Sequence, residues 1–181
     1  MHDISLYILD LVMNSIEAEA TLIEVLIKED TEADTLTLLI KDNGKGISPD
    51  VIKKVSDPFF TTRKTRKVGF GIPFFKLMIE QCDGVFSLDS EVLAGTEIKG
   101  MLTLSHIDRP PFGDIHETIR TLIQMEPSID FIYKHIFNHS VYFFDTRVIK
   151  AMINEIPINQ PEIMAWIRNE LNEGDFSYTS Y

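Results

Sequence analysis

Residues 57–71 read DPFFTTRKTRKVGFG. Arg63, Lys64, Arg66 and Lys67 fall within five positions, between an aromatic pair and a glycine pair, in a chain of formal net charge −11. A run of like charge is ordinarily a solvated face or loop, so its neighbours decide what this one is. Downstream, Ile72 to Gln81 carry helical periodicity with a proline in the first turn, so the basic loop feeds a helix N-terminus. Backbone N–H groups and the helix dipole make such an end an anion site, to which the four cations add. The spacing is not that of a Walker A loop, G-x-x-x-x-G-K-[ST]. Nor is it a Rossmann fingerprint, because Val68-Gly69-Phe70-Gly71 lacks the third glycine and follows a loop.

Upstream, residues 3–20 read as an amphipathic helix: Ile4, Ile8, Leu9, Leu11, Val12 and Ile16 fill one arc, and Asp3, Asp10, Asn14 and Glu17 form a polar stripe opposite. Residues 22–28 and 35–41 predict paired strands joined by the acidic turn EDTEAD, and a short helix is expected after Ser48-Pro49. Strands are expected at 84–91 and 96–104. The segment SHIDRPPFGD then breaks the pattern, and a boundary is placed at 105/106. Beyond it the periodicities predict a smaller α+β unit: a helix through Ile115, Ile119, Leu122 and Ile123, a strand through Ile129, Phe131 and Tyr133, a return strand Val141 to Phe144, and helices after Thr146 and Pro161.

The 181 residues are 44% hydrophobic and 25% charged, a globular composition able to bury a core. The single cysteine, Cys82, excludes an internal disulfide and a multi-cysteine metal site. The acidic balance argues against a general nucleic-acid surface, which needs many phosphate-neutralising cations. With no long apolar run and no signal peptide, the expectation is a soluble cytoplasmic protein without a membrane partner.

Three further pieces bear on chemistry. Asp10 and Asn14 stand one helical turn apart and either face solvent or converge on a ligand, where an amide oxygen suits a hard cation such as Mg²⁺ and a carboxylate suits a base. Asp42-Asn43-Gly44-Lys45-Gly46 follows a strand. It is either a plain turn or a site where Asp42 accepts from an exocyclic amine, with Gly44, Gly46 and Ile47 lining the base. Gly95-Thr96 is a turn that can also place a hydroxyl in a pocket. The remaining histidines, His106, His135 and His139, lack metal-ligand spacing and read as satisfied surface residues. Phe74, Phe75, Leu77, Met78, Ile79 and Trp166 read as core.

Taken in order, Asp10-x-x-x-Asn14, Asp42-x-Gly44-x-Gly46, Asp57-Pro58-Phe59-Phe60-Thr61-Thr62, Gly69-x-Gly71 and Gly95-Thr96 resemble the N, G1, F, G2 and G3 boxes of the GHKL ATPase superfamily. DPFFTTRK is similar to the F box of sensor histidine kinases, and NSIEAEAT is similar to MutL-like N boxes. The resemblance spans residues 3–104, somewhat over half the chain. It implies a two-layer α/β sandwich, with helices 3–20 and 72–81 on one face of a mixed sheet, followed by the appendage. It also implies ATP and Mg²⁺ as ligands. Asn14 would then hold Mg²⁺, Asp42 would read the adenine amine, and Thr96 would support the base. Thr61, Thr62, Arg63, Lys64 and Lys67 would form a lid, and Gly69, Phe70 and Gly71 would lie at the phosphates. Asp10 stands where many members carry a catalytic Glu, one methylene shorter.

Three functions follow as expectations. The first is a stand-alone protein kinase acting on a protein side chain. The second is a nucleotide-gated switch whose residues 106–181 face a partner. The third is a MutL- or gyrase-like ATPase, for which no transducer lysine is found. Nothing precedes the N-box helix, so the usual autophosphorylating layout is not expected, and His116-Glu117 follows the ATP domain instead of preceding it.

Overall fold

The computed structural model describes residues 3–55 and 71–176. Its elements run α1 (Ile4–Glu17), β1 (Leu22–Asp30), β2 (Thr35–Asp42), α2 (Pro49–Val55), α3 (Gly71–Gln81), β3 (Val85–Glu91), β4 (Gly95–Thr103), α4 (Ile115–Met125), β5 (Asp130–Phe137), β6 (Ser140–Asp145), α5 (Thr146–Ile153) and α6 (Pro161–Gly174).

Six strands form one mixed sheet in the order β3-β4-β2-β1-β5-β6, with β1 parallel to β5 and every other pair antiparallel. β1 and β2 alternate strictly between buried and part-exposed side chains, as expected of strands with one covered face. The register aligns the inward-facing apolar side chains into rows: Ile40 stands beside Ile98, and Ile98 beside the partly buried Leu88. Over this face lie α1, through Ile4, Ile8, Leu11 and Val12, and α3, through Ile72, Phe75, Met78 and Ile79. Full burial of each such side chain contributes about 1.5–3 kcal/mol. The architecture is α+β, the sandwich that the boxes imply.

Across the expected 105/106 boundary the sheet is continuous, since β5 and β6 extend it on the β1 side. One cluster of buried residues runs from Ile4 in α1 to Leu171 in α6. The connecting segment is tied to the start of α1. The Ile4 and Ser5 amides donate to the Pro111 and Phe112 carbonyls at 2.9 Å each, while the Asp3 carboxylate caps the Leu6 amide at 3.0 Å. Amides that would otherwise lack partners at the helix end are thereby satisfied.

Three core or surface expectations are corrected. In α3 the buried stripe is Ile72, Phe75, Met78 and Ile79, which leaves Phe74 and Leu77 on the outward flank and largely exposed. Trp166 is half exposed, because α6 buries Met164, Ile167 and Leu171. His135 is fully buried, since β5 directs Phe131, Tyr133 and His135 to the covered face.

Candidate nucleotide site

The site begins where the apolar rows of the covered face give way to a polar one. The row beyond Ile40, Ile98 and Leu88 is Asp42 on β2, Thr96 on β4 and Ser90 on β3. Asp42 and Thr96 are only 7% and 8% exposed. A buried carboxyl group is expensive unless its oxygens are hydrogen-bonded, and both are. The Ser15 hydroxyl donates to Asp42 Oδ2 at 2.6 Å, and the Gly44 amide donates to Oδ1 at 2.9 Å. Ser90 links the other two strands: its Oγ donates to the Gly95 carbonyl at 2.9 Å, lies 2.8 Å from Thr96 Oγ1 and accepts from the Ile47 amide at 2.8 Å.

Two glycines let the loops close around this floor. Gly95 has φ +106°, and a Cβ there would sit 2.0 Å from the Asp42 carbonyl oxygen. Gly46 has φ +67°, and a Cβ would sit 2.0 Å from the Glu91 carbonyl oxygen. A side chain at either position meets both a disfavoured backbone conformation and a backbone clash. Asn43 pins the same turn to the start of β1, its Oδ1 accepting from the Thr21 and Leu22 amides at 2.9 Å each.

One wall comes from α1 and the first residue of α3. A Cβ on Gly71 would lie 3.3 Å from Asp10 Cβ and 3.4 Å from Asn14 Nδ2, so the α3 N-terminus abuts the Asp10-Asn14 flank. Asp10 is exposed and Asn14 part-buried. Tyr7 lies one turn earlier. Its phenol is pushed up by burial, then by Cys82 and Asp10, and its ring meets Phe75 at 6.3 Å between centroids.

The structure therefore brings together Asp10, Asn14 and Gly71 on one side, and Asp42, Gly44, Gly46, Ile47 and Thr96 on the other, with Ser15 joining α1 to Asp42. Thr61, Thr62, Arg63, Lys64, Lys67, Gly69 and Phe70 lie outside the described residues. Ser15 and Ser90 were missed from sequence. The signal for Ser15 was a hydroxyl in the 4, 8, 11, 15 stripe, where the other three positions are buried and apolar. Ser15→Ala leaves an oxygen of a buried carboxyl without its donor, and is expected to lower unfolding free energy by about 1–3 kcal/mol in a urea titration.

With this geometry in place, residues 2–106 match the family described as histidine kinase-, DNA gyrase B-, and HSP90-like ATPase, and the chain belongs to that family. Sensor kinases are among its relatives. A probable C4-dicarboxylate sensor kinase of Bacillus subtilis is 34% identical over 101 residues, 52% of this chain and 18% of the kinase. Sensor kinase CckA of Brucella abortus is 41% identical over 69 residues, 38% of this chain and 7% of the kinase. Sporulation kinase A of Bacillus subtilis is 31% identical over 93 residues, 50% and 15% of the two chains. The chain thus matches less than a fifth of the length of each of these kinases. Among solved structures, the N-terminal domain of a DNA repair protein superposes with a TM-score of 0.54 over 79% of this chain and 52% of that one, at 17% identity, a likeness of fold alone. Membership of this ATPase family implies ATP as the ligand. Among the described residues, no helix is long and apolar enough to cross a membrane.

Proposed function

We propose that this chain binds Mg-ATP between α1, the α3 N-terminus and the Asp42-Thr96-Ser90 row, and transfers the γ-phosphate to a protein side chain as a regulatory kinase. The observation that carries the reading is the buried Asp42 carboxyl group, held by Ser15 and Gly44 at the end of the apolar floor. An acceptor in that position matches an exocyclic amine entering from the open side, as adenine presents. Thr96 and Ser90 add hydroxyls beside it. The phosphate end would lie at the α3 N-terminus, beside the place where Gly71 meets the Asp10-Asn14 flank.

The donor set fits magnesium: Asn14 offers an amide oxygen and Asp10 a carboxyl group, both of them oxygen ligands or partners of its bound water. When bound there, the ion would neutralise phosphate charge. In the transfer, the bond from the γ-phosphorus to its bridging oxygen breaks, a bond to the acceptor oxygen forms, ADP leaves and the acceptor proton passes to a base. Asp10, on the α1 flank beside Gly71, would serve as that base, its shorter side chain reaching the proton through one water.

The second reading, a nucleotide-gated switch with little turnover, is favoured by the Pro111 and Phe112 carbonyls that tie the C-terminal half to the start of α1. Nucleotide that shifts α1 would be felt there. Purified protein with Mg²⁺, γ-labelled ATP and a cell extract is expected to give a labelled protein. Neither labelled protein nor released phosphate, with ATP binding retained, would overturn the kinase reading and leave the switch. Asp10→Asn is expected to abolish turnover and preserve binding. Asn14→Ala is expected to remove the Mg²⁺-dependent part of ATP affinity, and undiminished Mg-ATP binding would remove Asn14 from the site.

A further inference from the structure

Away from the nucleotide site, α5 and α6 enclose a groove of about 250 Å³ lined by Ile149, Met152, Ile153, Glu162, Ile163 and Trp166. Its rim carries large apolar side chains that folding has left in water: Met152 is 72% exposed and Trp166 50%. Val148 and Ile156, just outside, are also more than half exposed. Single exposed apolar residues are ordinary, whereas a contiguous patch around a concavity with Trp and Met on its walls marks an interaction surface.

Charge around the groove indicates the occupant. At about 100° per residue, Glu162, Trp166, Glu170 and Glu173 fall within a sector of α6 roughly 80° wide, so the groove continues into an acidic stripe. The cation of the same helix, Arg168, is turned to the opposite flank, where it lines a polar cleft with Glu117 and Arg120 of α4. The nearby cations of α5 are engaged elsewhere. Lys150 Nζ donates to the Asp130 carboxylate at 2.7 Å and to the Ile129 carbonyl at 2.8 Å, and Arg147 pairs with Asp145 at 2.7 Å.

We propose that the α5-α6 groove docks a cationic amphipathic helix of a partner protein. An aliphatic anchor would enter between Met152 and Trp166, and lysines or arginines would lie along Glu162, Glu170 and Glu173. This is helix-in-groove recognition with electrostatic selection of the partner. It uses no residue of the nucleotide site, so it stands or falls independently of ATP binding.

Trp166 is the single tryptophan of the chain and forms part of the wall, which makes it the reporter. The probe is a 14-residue helical peptide of leucine and lysine at amphipathic spacing, compared with its leucine and glutamate counterpart. The lysine peptide is expected to shift Trp166 emission to the blue saturably, and the glutamate peptide to leave it unchanged. Met152→Glu alters an exposed position and adds negative charge, so a merely electrostatic association would tighten. Groove docking is expected to weaken by about tenfold or more, as for a truncated interface anchor, with circular dichroism unchanged. Glu162→Lys is expected to weaken the lysine peptide and admit the glutamate one. Equal response to both peptides, or tighter binding by Met152→Glu, would overturn the proposal. So would emission that depends on protein concentration together with a dimer mass in light scattering, which would make a second copy the occupant.

Discussion

Asp175→Ala is expected to destabilise the fold by about 3–5 kcal/mol, the range for removing one partner of a buried ion pair. Although it follows the last turn of α6, the Asp175 side chain is fully buried, where it meets three other side chains and the Phe176 amide. Its Oδ1 faces His135 Nδ1 at 2.7 Å, while Oδ2 accepts from the Tyr133 hydroxyl at 2.6 Å and faces His116 Nε2 at 2.9 Å. On the far side, His135 Nε2 lies 2.9 Å from Glu29 Oε1 on β1. Both nitrogens of a fully buried imidazole thus face carboxyl oxygens, and the ring donates from both as an imidazolium. Removing Asp175 leaves His135 Nδ1, the Tyr133 hydroxyl and His116 Nε2 without that acceptor, with Glu29 alone facing the imidazolium, and also loosens Phe176, whose ring meets His135 and Phe137 at 5.7 and 6.4 Å between centroids.

The same cluster sets a pH profile. Burial alone pushes His135 down, but its hydrogen bonds to Asp175 and Glu29 outweigh burial and hold it above the ordinary histidine range. A raised cation stabilises fully below its unfolded value, about 6.5, and loses that contribution as pH rises through its folded value. Burial pushes Asp175 up, but hydrogen bonds from His116, His135 and Tyr133 outweigh it and hold the carboxylate well below its usual range. A depressed acid stabilises above its unfolded value, about 4, and loses that contribution as pH falls through its folded value. The Tm is therefore expected to be highest between about pH 4 and 6.5 and to fall on the alkaline side. Asp175→Ala should flatten this profile, and a wild-type Tm that rises from pH 6 to 9 would contradict the protonated-His135 assignment.

The second large effect is expected at Asp42. Asp42→Asn preserves the size of the side chain and an acceptor for the Gly44 amide, but turns the oxygen that Ser15 holds into an amide donor. If Asp42 reads the adenine amine, ATP affinity should drop by about 100-fold, near 3 kcal/mol. The preference should also move toward a nucleotide with a carbonyl in place of the amine, because the new amide can donate to it. Competition between ATP and ITP against a fluorescent nucleotide reads both. A uniform loss for both nucleotides would indicate a fold defect, and an unchanged ratio would take Asp42 away from the base.

Much of this architecture was legible in the sequence because its signals are local. α1 and the β1-β2 pair follow from periods of 3.6 and 2, and the turns from Gly44, Gly46 and Gly95. What was not legible depends on partners distant in the chain. Nothing in the alternation of Ile129, Phe131 and Tyr133 says that their strand lies parallel to β1, about a hundred residues earlier, so the C-terminal half was expected as an appendage and not as part of the same sheet. His135 was expected at the surface because its partners, Glu29 and Asp175, lie far to either side in sequence. Among the candidate site residues, Asp42, Asn14 and Thr96 were named from ordered boxes. Ser90 was hidden because one hydroxyl in an exposed-looking strand carries no pattern until Thr96 and Ile47 are seen beside it. Trp166 was assigned to the core because apolar neighbours in sequence do not say which side of α6 is covered.

Whether the surfaces meeting at Asp42, Asn14 and Gly71 form one Mg-ATP site is decided by calorimetric titration of Mg-ATP into the wild-type protein and the Asp42→Asn variant. Saturable one-to-one binding to the wild type is expected, weakened by about 100-fold in a variant of unchanged circular dichroism. Absence of binding to the wild type, or equal affinity in the two proteins, would contradict it.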